Sequence, residues 1–177
     1  MNRAQQIIGD GKNRKENDFY ATPPYAVQAL LDKEQFIGNI LEPACGEGHI
    51  SKVLINNNYK VDSFDLIDRG YGAKQDFLTY TGFCDNIITN PPFTLALEFV
   101  LKAKEVSKNK FALLLKTQFL EGIKRQPMFL DEKFPLKKVL VFSKRLTFGE
   151  KQTGGMLSFS WFLWQKDWED KPYMDWI

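Results

Sequence analysis

The stretch from Asn39 to Asp68, NILEPACGEGHISKVLINNNYKVDSFDLID, constrains the fold more than any other part of the chain. An apolar run ends near Glu42, a turn carrying Gly46 and Gly48 follows, a helical pattern runs through about Ile55, and a second strand-like run ends near Asp65. Strand, glycine turn, helix and strand make a βαβ unit. Two strands joined through a helix lie parallel, because a two-residue hairpin joins only antiparallel neighbours. This unit implies a parallel sheet with helices packed on it.

The same alternation continues on both sides. TPPYAVQALLDKEQF places Pro23 and Pro24 at a helix start behind Thr22, an N-cap type, with Val27, Leu30 and Leu31 at helical spacing. DNIIT reads as a buried strand, and TLALEFVLKAKEVS reads as an amphipathic helix with Leu97, Val100 and Leu101 on its apolar side. KFALLLKT is another apolar strand, and a helical segment is expected around QFLEGIKRQPMFLDE. LKKVLVFSKRL and MLSFSWFLWQK then read as two adjacent strands across the glycine-bearing loop TFGEKQTGG, a departure from strict alternation. The expected fold is therefore α/β and Rossmann-like, a mostly parallel seven-stranded sheet with one antiparallel strand near its C-terminal edge and helices on both faces. Residues 1–18 are polar and aperiodic and read as a flexible arm, 19–166 as a single domain, and 167–177 as a surface tail.

With 177 residues, 44% of them hydrophobic, the chain can bury one full core and shows no second one. Basic and acidic side chains number 24 and 22, so the net charge of +2 permits a nucleic-acid partner without implying one. The opening residues lack the apolar core of a signal peptide and no run is long enough to cross a bilayer, so a soluble, cytoplasmic protein is expected. Cys45 and Cys84 stand apart from each other, and His49 is the one histidine, which argues against disulfides and against a bound metal.

The chemistry starts at the glycine turn. Between an apolar strand and a helix, Gly46 and Gly48 allow a sharp turn and a close backbone approach, and the helix start offers free N–H groups. Glu42, at the strand end, is placed to accept from a ligand ammonium or to order the turn through water, and Ala44 lies within the turn. Asp65 closes the next strand about 20 residues on, where a carboxylate accepts both hydroxyls of a ribose in sheets of this kind. A dinucleotide site wants a third glycine beneath its pyrophosphate, and Ser51 stands there instead. That favours a nucleoside cofactor without phosphate, such as S-adenosylmethionine, over NAD or FAD. In KQDFL, Asp76 can accept from an adenine amino group and Phe77 can pack on the ring, although a turn and a core aromatic would look the same.

NIITNPPFTLALEF stops a buried strand with Asn90, Pro91, Pro92 and Phe93. An aromatic amine is a poor nucleophile because its lone pair is delocalised into the ring. The Asn90 amide oxygen and the Pro91 carbonyl can each accept one of its N–H groups and draw the nitrogen towards a tetrahedral geometry. The prolines hold those acceptors without competing donors, and Phe93 can stack on a planar target. A strand stop with a core phenylalanine is the structural alternative.

Together NDFYATPP, LEPACGEGHI, Asp65, QDF and NPPF resemble the class I S-adenosylmethionine-dependent methyltransferases, and most closely the DNA methyltransferases that modify adenine at N6. The resemblance spans roughly residues 17–165. By position it implies that Phe19, Tyr20, Thr22 and Pro23 close over the methionine part of the cofactor. Gly46 and Gly48 match the cofactor loop, Asp65 the ribose acid, Asp76 and Phe77 the adenine contact, and Asn90 to Phe93 the catalytic tetrapeptide. FSKRLTFG occupies the place where the family often presents an aromatic to an extruded base, with Phe148 the candidate and a core or loop role the alternative. The implied reaction is methyl transfer to the exocyclic N6 amine of adenine in DNA, with base extrusion if the DNA is duplex.

The sequence lacks the long target-recognition region usual in such enzymes. Lys124, Arg125, Lys144, Arg145 and Lys151 are candidates for a phosphate-tracking surface, or an ordinary solvated face, and a partner subunit is a further route to target recognition. An RNA amino group and a protein glutamine amide are also planar nitrogens that the tetrapeptide suits, and a non-catalytic subunit of a heteromer is the alternative outside enzymology.

Overall fold

The computed structural model describes residues 20–148 and 157–177, so the expected N-terminal arm, Phe19 and Lys151 lie outside the described residues. Helix α1 (Pro24–Lys33) leads into strand β1 (Ile40–Glu42), helix α2 (His49–Asn56) and strand β2 (Val61–Asp65). A two-residue strand β3 (Ala73–Lys74) precedes β4 (Cys84–Thr89), α3 (Ala96–Val106) and β5 (Ser107–Lys116). A short helix α4 (Gln126–Phe129) leads to β6 (Leu136–Val141), β7 (Phe159–Gln165) and β8 (Tyr173–Trp176). Three 3-10 turns, Phe77–Thr79, Phe93–Leu95 and Thr117–Leu120, sit at the mouths of the connections.

The eight strands form one sheet in the order β3-β2-β1-β4-β5-β7-β6-β8. β3, β2, β1, β4 and β5 run parallel to one another, and β7 lies antiparallel between β5 and β6. The expected antiparallel strand is thus present. An eighth strand adds to the expected seven: β8, within residues read as a surface tail, pairs parallel with β6. The N–H of Ile177 bonds the carbonyl of Val141, and the Ile177 carbonyl receives the N–H of Ser143. An edge strand needs only one ladder of partners, which is why so short and polar a segment can supply it.

Strand periodicity divides the core into two layers. Leu113 and Leu115 of β5, Phe162 and Trp164 of β7 and Ile87 of β4 face the layer closed by α3 through Phe99, Val100 and Ala103. Ala112, Leu114, Trp161, Leu163 and Ile88 face the layer closed by α1 and α2 through Val27, Leu30, Ile50 and Leu54. Successive residues of one strand point to opposite faces, so strands buried on both sides read as unbroken apolar runs. Buried Trp161 donates its indole N–H to the Ala26 carbonyl at 2.7 Å, which pins α1 to the sheet.

α1 starts one residue later than the sequence suggested. Pro23 is the N-cap and makes no side-chain cap bond, while Pro24 opens the helix, where a missing N–H costs nothing. Thr22 therefore has its hydroxyl free for another partner. That partner lies in the candidate site.

The chain passes from β1 to β2 on one side and later returns to β4 on the other. Such a reversal leaves a crevice beyond the carboxyl ends of the strands, and in open α/β sheets ligands bind there.

Candidate active site

A cavity of about 500 Å³ opens at this crevice, within the roughly 300–1,000 Å³ of small-molecule sites. Tyr20, Thr22, Glu42, Ala44, Asp65, Asp76, Phe77, Asn90 and Pro92 all border it, so residues from five separate segments meet where the sequence reading placed a cofactor. Pro23, Gly46, Gly48, Pro91 and Phe93 do not line it.

The two glycines act on the shape of the turn. Both have positive φ, 53° at Gly46 and 79° at Gly48, a backbone that side chains disfavour. A Cβ on Gly48 would come within 2.6 Å of the Tyr71 ring, so the missing side chain makes room for the loop after β2, while Cys45 and His49 face the cavity.

Asp65 holds the turn from the other side. Its Oδ2 accepts the N–H of Gly46 at 2.8 Å and its Oδ1 the N–H of Ile67 at 2.9 Å. Each carboxylate oxygen has a second lone pair, so Asp65 keeps acceptor capacity on the cavity wall while fixing both loops. Asp76 has a similar double duty: its Oδ1 caps the Phe77–Thr79 turn through the N–H of Leu78 at 2.9 Å, and its other oxygen is left as an acceptor. Phe77 is buried against Phe99, with ring centroids 5.0 Å apart, and is a core aromatic that also borders the cavity.

Glu42 orders the turn directly. It is 1% exposed, and its carboxyl group accepts the Ser51 N–H at 2.8 Å and the Ser51 hydroxyl. Ser51 Oγ lies 2.6 Å from Ser63 Oγ, so the network ties the first turn of α2 to β2. Burial drives the Glu42 carboxyl up to about 8, against the lowering effect of the Ser51 bonds and with the Asp65 charge adding to the rise. Ser51 is thus a partner of Glu42, a role that the missing third glycine allows.

Asn90 is oriented by two bonds. Its Nδ2 donates to the Tyr20 carbonyl at 3.1 Å and to the Thr22 hydroxyl at 3.1 Å. A main-chain carbonyl can only accept, so the amino side of the amide must face Tyr20 and the oxygen must face away. That oxygen, Oδ1, is buried and without a hydrogen-bond partner, and Asn90 borders the cavity. An unpaired buried acceptor is costly and marks a place where a donor is wanted.

Beside Asn90 stands an aromatic cluster. Phe93 stacks on Tyr20 at 5.4 Å, and Phe148 approaches both Tyr20 at 5.6 Å and Phe93 at 6.5 Å. Phe148 also packs on Phe159 at 4.9 Å, against the core layer that holds Ile88 and Trp161. Lys116, which the sequence reading passed over, sets its Nζ 5.3 Å from the Phe93 centroid. Lys124 and Arg125 line a second groove against Phe93, whereas exposed Arg145 lines neither cavity.

The lining matches the group that the fold implies. Ile67, Leu78, Leu95 and Phe99 give the cavity apolar walls, and Asp65 and Asp76 give it carboxylate acceptors, a lining suited to a nucleoside. S-adenosylmethionine fits the chemistry of this lining. Among the described residues no group of three histidine, cysteine or acidic side chains is placed to hold a metal ion.

No protein-family model and no curated protein matches the chain. Solved structures do. A protein described as an RNA methyltransferase from Pyrococcus horikoshii superposes with a TM-score of 0.68 at 16% identity, over 85% of this chain and 88% of that one. A modification subunit assigned to a type I restriction enzyme of Vibrio vulnificus gives 0.64 at 14% identity, over 99% of this chain. The chain spans about half that subunit's length, 49%. Magnesium protoporphyrin IX methyltransferase from Synechocystis, solved with S-adenosylmethionine bound, gives 0.58 at 14% identity over 93% and 89% of the two chains. The fold is that of the class I methyltransferases, a Rossmann-like sheet with β7 inserted antiparallel. No helix among the described residues is long and apolar enough to cross a membrane.

Proposed function

We propose that the protein transfers the methyl group of S-adenosylmethionine to an exocyclic aromatic amine, the N6 amine of adenine in DNA. The observation that carries the reading is the Asn90 amide, whose amino side is held by Tyr20 and Thr22 and whose oxygen is buried without a partner, on a residue that borders the cavity. S-adenosylmethionine supplies an electrophilic methyl group on a sulfonium. Asp65 accepts the ribose hydroxyls and Asp76 the adenine amine of that cofactor. Asn90 Oδ1 accepts one N–H of the target amine, which weakens conjugation of the nitrogen lone pair with the ring and leaves that pair to attack. Phe93, backed by Tyr20 and Phe148, stacks on the target ring.

Target recognition is assigned to a nucleic-acid surface on this chain and to a partner subunit. The likeness to a modification subunit twice as long supports that reading. The likeness to the Pyrococcus protein favours an RNA amine as the second reading.

Labelled methyl transfer to unmethylated genomic DNA, total RNA and a protein extract tests the proposal. N6-methyladenine in DNA is the expected product. Label in RNA or in glutamine replaces the substrate and keeps Asn90, and absence of cofactor binding overturns the enzyme.

A further inference from the structure

The segment after β5 folds back over the N-terminal end of α3 and leaves a groove of about 630 Å³ beside the tetrapeptide. Its walls include Phe93, Leu97, Phe119, Ile123, Lys124 and Arg125, and Thr94 borders both this groove and the cofactor-sized cavity. The two spaces thus meet at the residues that follow Asn90. Gly122, at φ +125°, makes the reversal that sets Ile123, Lys124 and Arg125 along the groove.

Two properties of the groove are unexplained by folding. Ile123 is 92% exposed, so a large apolar side chain stands in water next to the site. The charge is also one-sided: Lys124 and Arg125 line the groove and Lys116 flanks it at Phe93, against Glu98 on the opposite wall. Arg125 is preset. Its Nη1 donates to the carbonyls of Gln118 at 3.2 Å and Phe119 at 3.1 Å, and its guanidinium lies 4.8 Å from the Phe119 centroid. An arginine has five N–H donors, so Nε and Nη2 are left for an anion.

We propose that this groove seats the polynucleotide strand flanking the target nucleotide, a neighbouring base against Ile123 and Leu97 and its phosphate on Arg125 and Lys124. The inference rests on the nucleic-acid reading above. A target base that reaches Asn90 past Phe93 is tethered to neighbours through phosphates, and the groove, contiguous with Phe93, offers apolar wall and cations together. A neutral glutamine-bearing peptide has no use for three cations there. Recognition of unpaired strands uses this pairing of base-stacking surface with backbone cations.

The test uses the full chain and fluorescence anisotropy with an adenine-containing single-stranded oligodeoxynucleotide and the oligoribonucleotide of the same sequence, at several salt concentrations. Lys124→Glu, at an exposed position, and Lys124→Ala combined with Arg125→Ala are compared with the parent, and titration with S-adenosylmethionine reports that each variant is folded. The expected result is binding weakened about tenfold or more in the double variant, with S-adenosylmethionine affinity retained. The log-log salt slope is expected to fall by about 0.7 for each phosphate that the variant no longer neutralises. The two oligonucleotides separate DNA from RNA as the source of the phosphates. Variants that bind and methylate the oligonucleotide like the parent, with an unchanged salt slope, overturn the groove and leave the methyltransferase reading in place. A parent protein that binds S-adenosylmethionine but neither oligonucleotide overturns the groove and the nucleic-acid reading together, and one that binds no S-adenosylmethionine overturns the enzyme.

Discussion

Asn90 shows how one side chain can be read from its partners. An aspartate in its place would set a carboxylate against the Tyr20 carbonyl, two acceptors with no proton between them, so the amide suits both the wall it bonds and the amine of the proposed reaction. Asn90→Ala is expected to lower turnover about a hundredfold or more, as losses of single preorganised groups do, with S-adenosylmethionine affinity reduced only a few-fold in calorimetry. Turnover like that of the parent would remove Asn90 from the chemistry. Asp65→Asn removes the charge and sets an amide N–H against the Gly46 or Ile67 N–H, and cofactor binding is expected to weaken about tenfold or more. Glu42 makes a pH prediction. Its folded value of about 8 lies above its ordinary 4.5, so the native state binds the extra proton and stability contributed by this group is lost as pH rises from 4.5 through about 8. Glu42→Gln is expected to flatten that part of the stability profile, measured by chemical denaturation across the window.

At the scale of elements, the strongest device lies at the far end of the sheet from the site. Glu34, at the C-cap of α1, receives Lys110 of β5 at 2.5 Å and Lys138 and Lys137 of β6 at 2.8 and 3.0 Å. Lys138 also donates to the Lys33 carbonyl at 2.6 Å, and Lys33 pairs with Asp175 of β8 at 2.8 Å, so one cluster links helix, central strand and edge strand. Burial would raise the Glu34 carboxyl, and the hydrogen bonds from Lys110, Lys138 and Lys137 outweigh it and bring it down to about 2. A lowered carboxylate contributes stability that is complete above its ordinary 4.5 and lost as pH falls towards about 2. Glu34→Gln leaves buried Lys138 and half-buried Lys110 and Lys137 without their counter-charge and is expected to cost roughly 3 kcal/mol by denaturant titration near neutral pH. Acid unfolding of the variant is expected to lose the component between 4.5 and about 2. None of this cluster is visible as a local pattern, since its bonded members are up to 142 residues apart in the chain. The βαβ unit was legible because its period changes within one short window, whereas β8 was not, because PYMDW offers four paired residues among charges and a proline.

For the whole molecule, the reversal of strand order brings the strand ends together and explains which site residues the sequence could announce. Glu42, Asp65 and Asn90 sit where strands stop, and a strand stop can be read from composition alone. Ile67, Leu95, Phe99 and Lys116 join the site through the packing of loops and helices, and each is individually indistinguishable in sequence from a core or surface residue. Gly46 and Gly48 were recognised as the turn, but their effect on Tyr71 needs the loop after β2 in place. The bonds from Asn90 to Tyr20 and Thr22 have a kinetic consequence. The segment that walls the cavity and Asn90, the proposed partner of the acceptor amine, form one mechanical unit, although they lie 70 and 68 residues apart in the chain. Whatever ligand settles residues 20–22 also aims the Asn90 oxygen, so initial-rate patterns are expected to show compulsory order, with the methyl donor entering before the methyl acceptor.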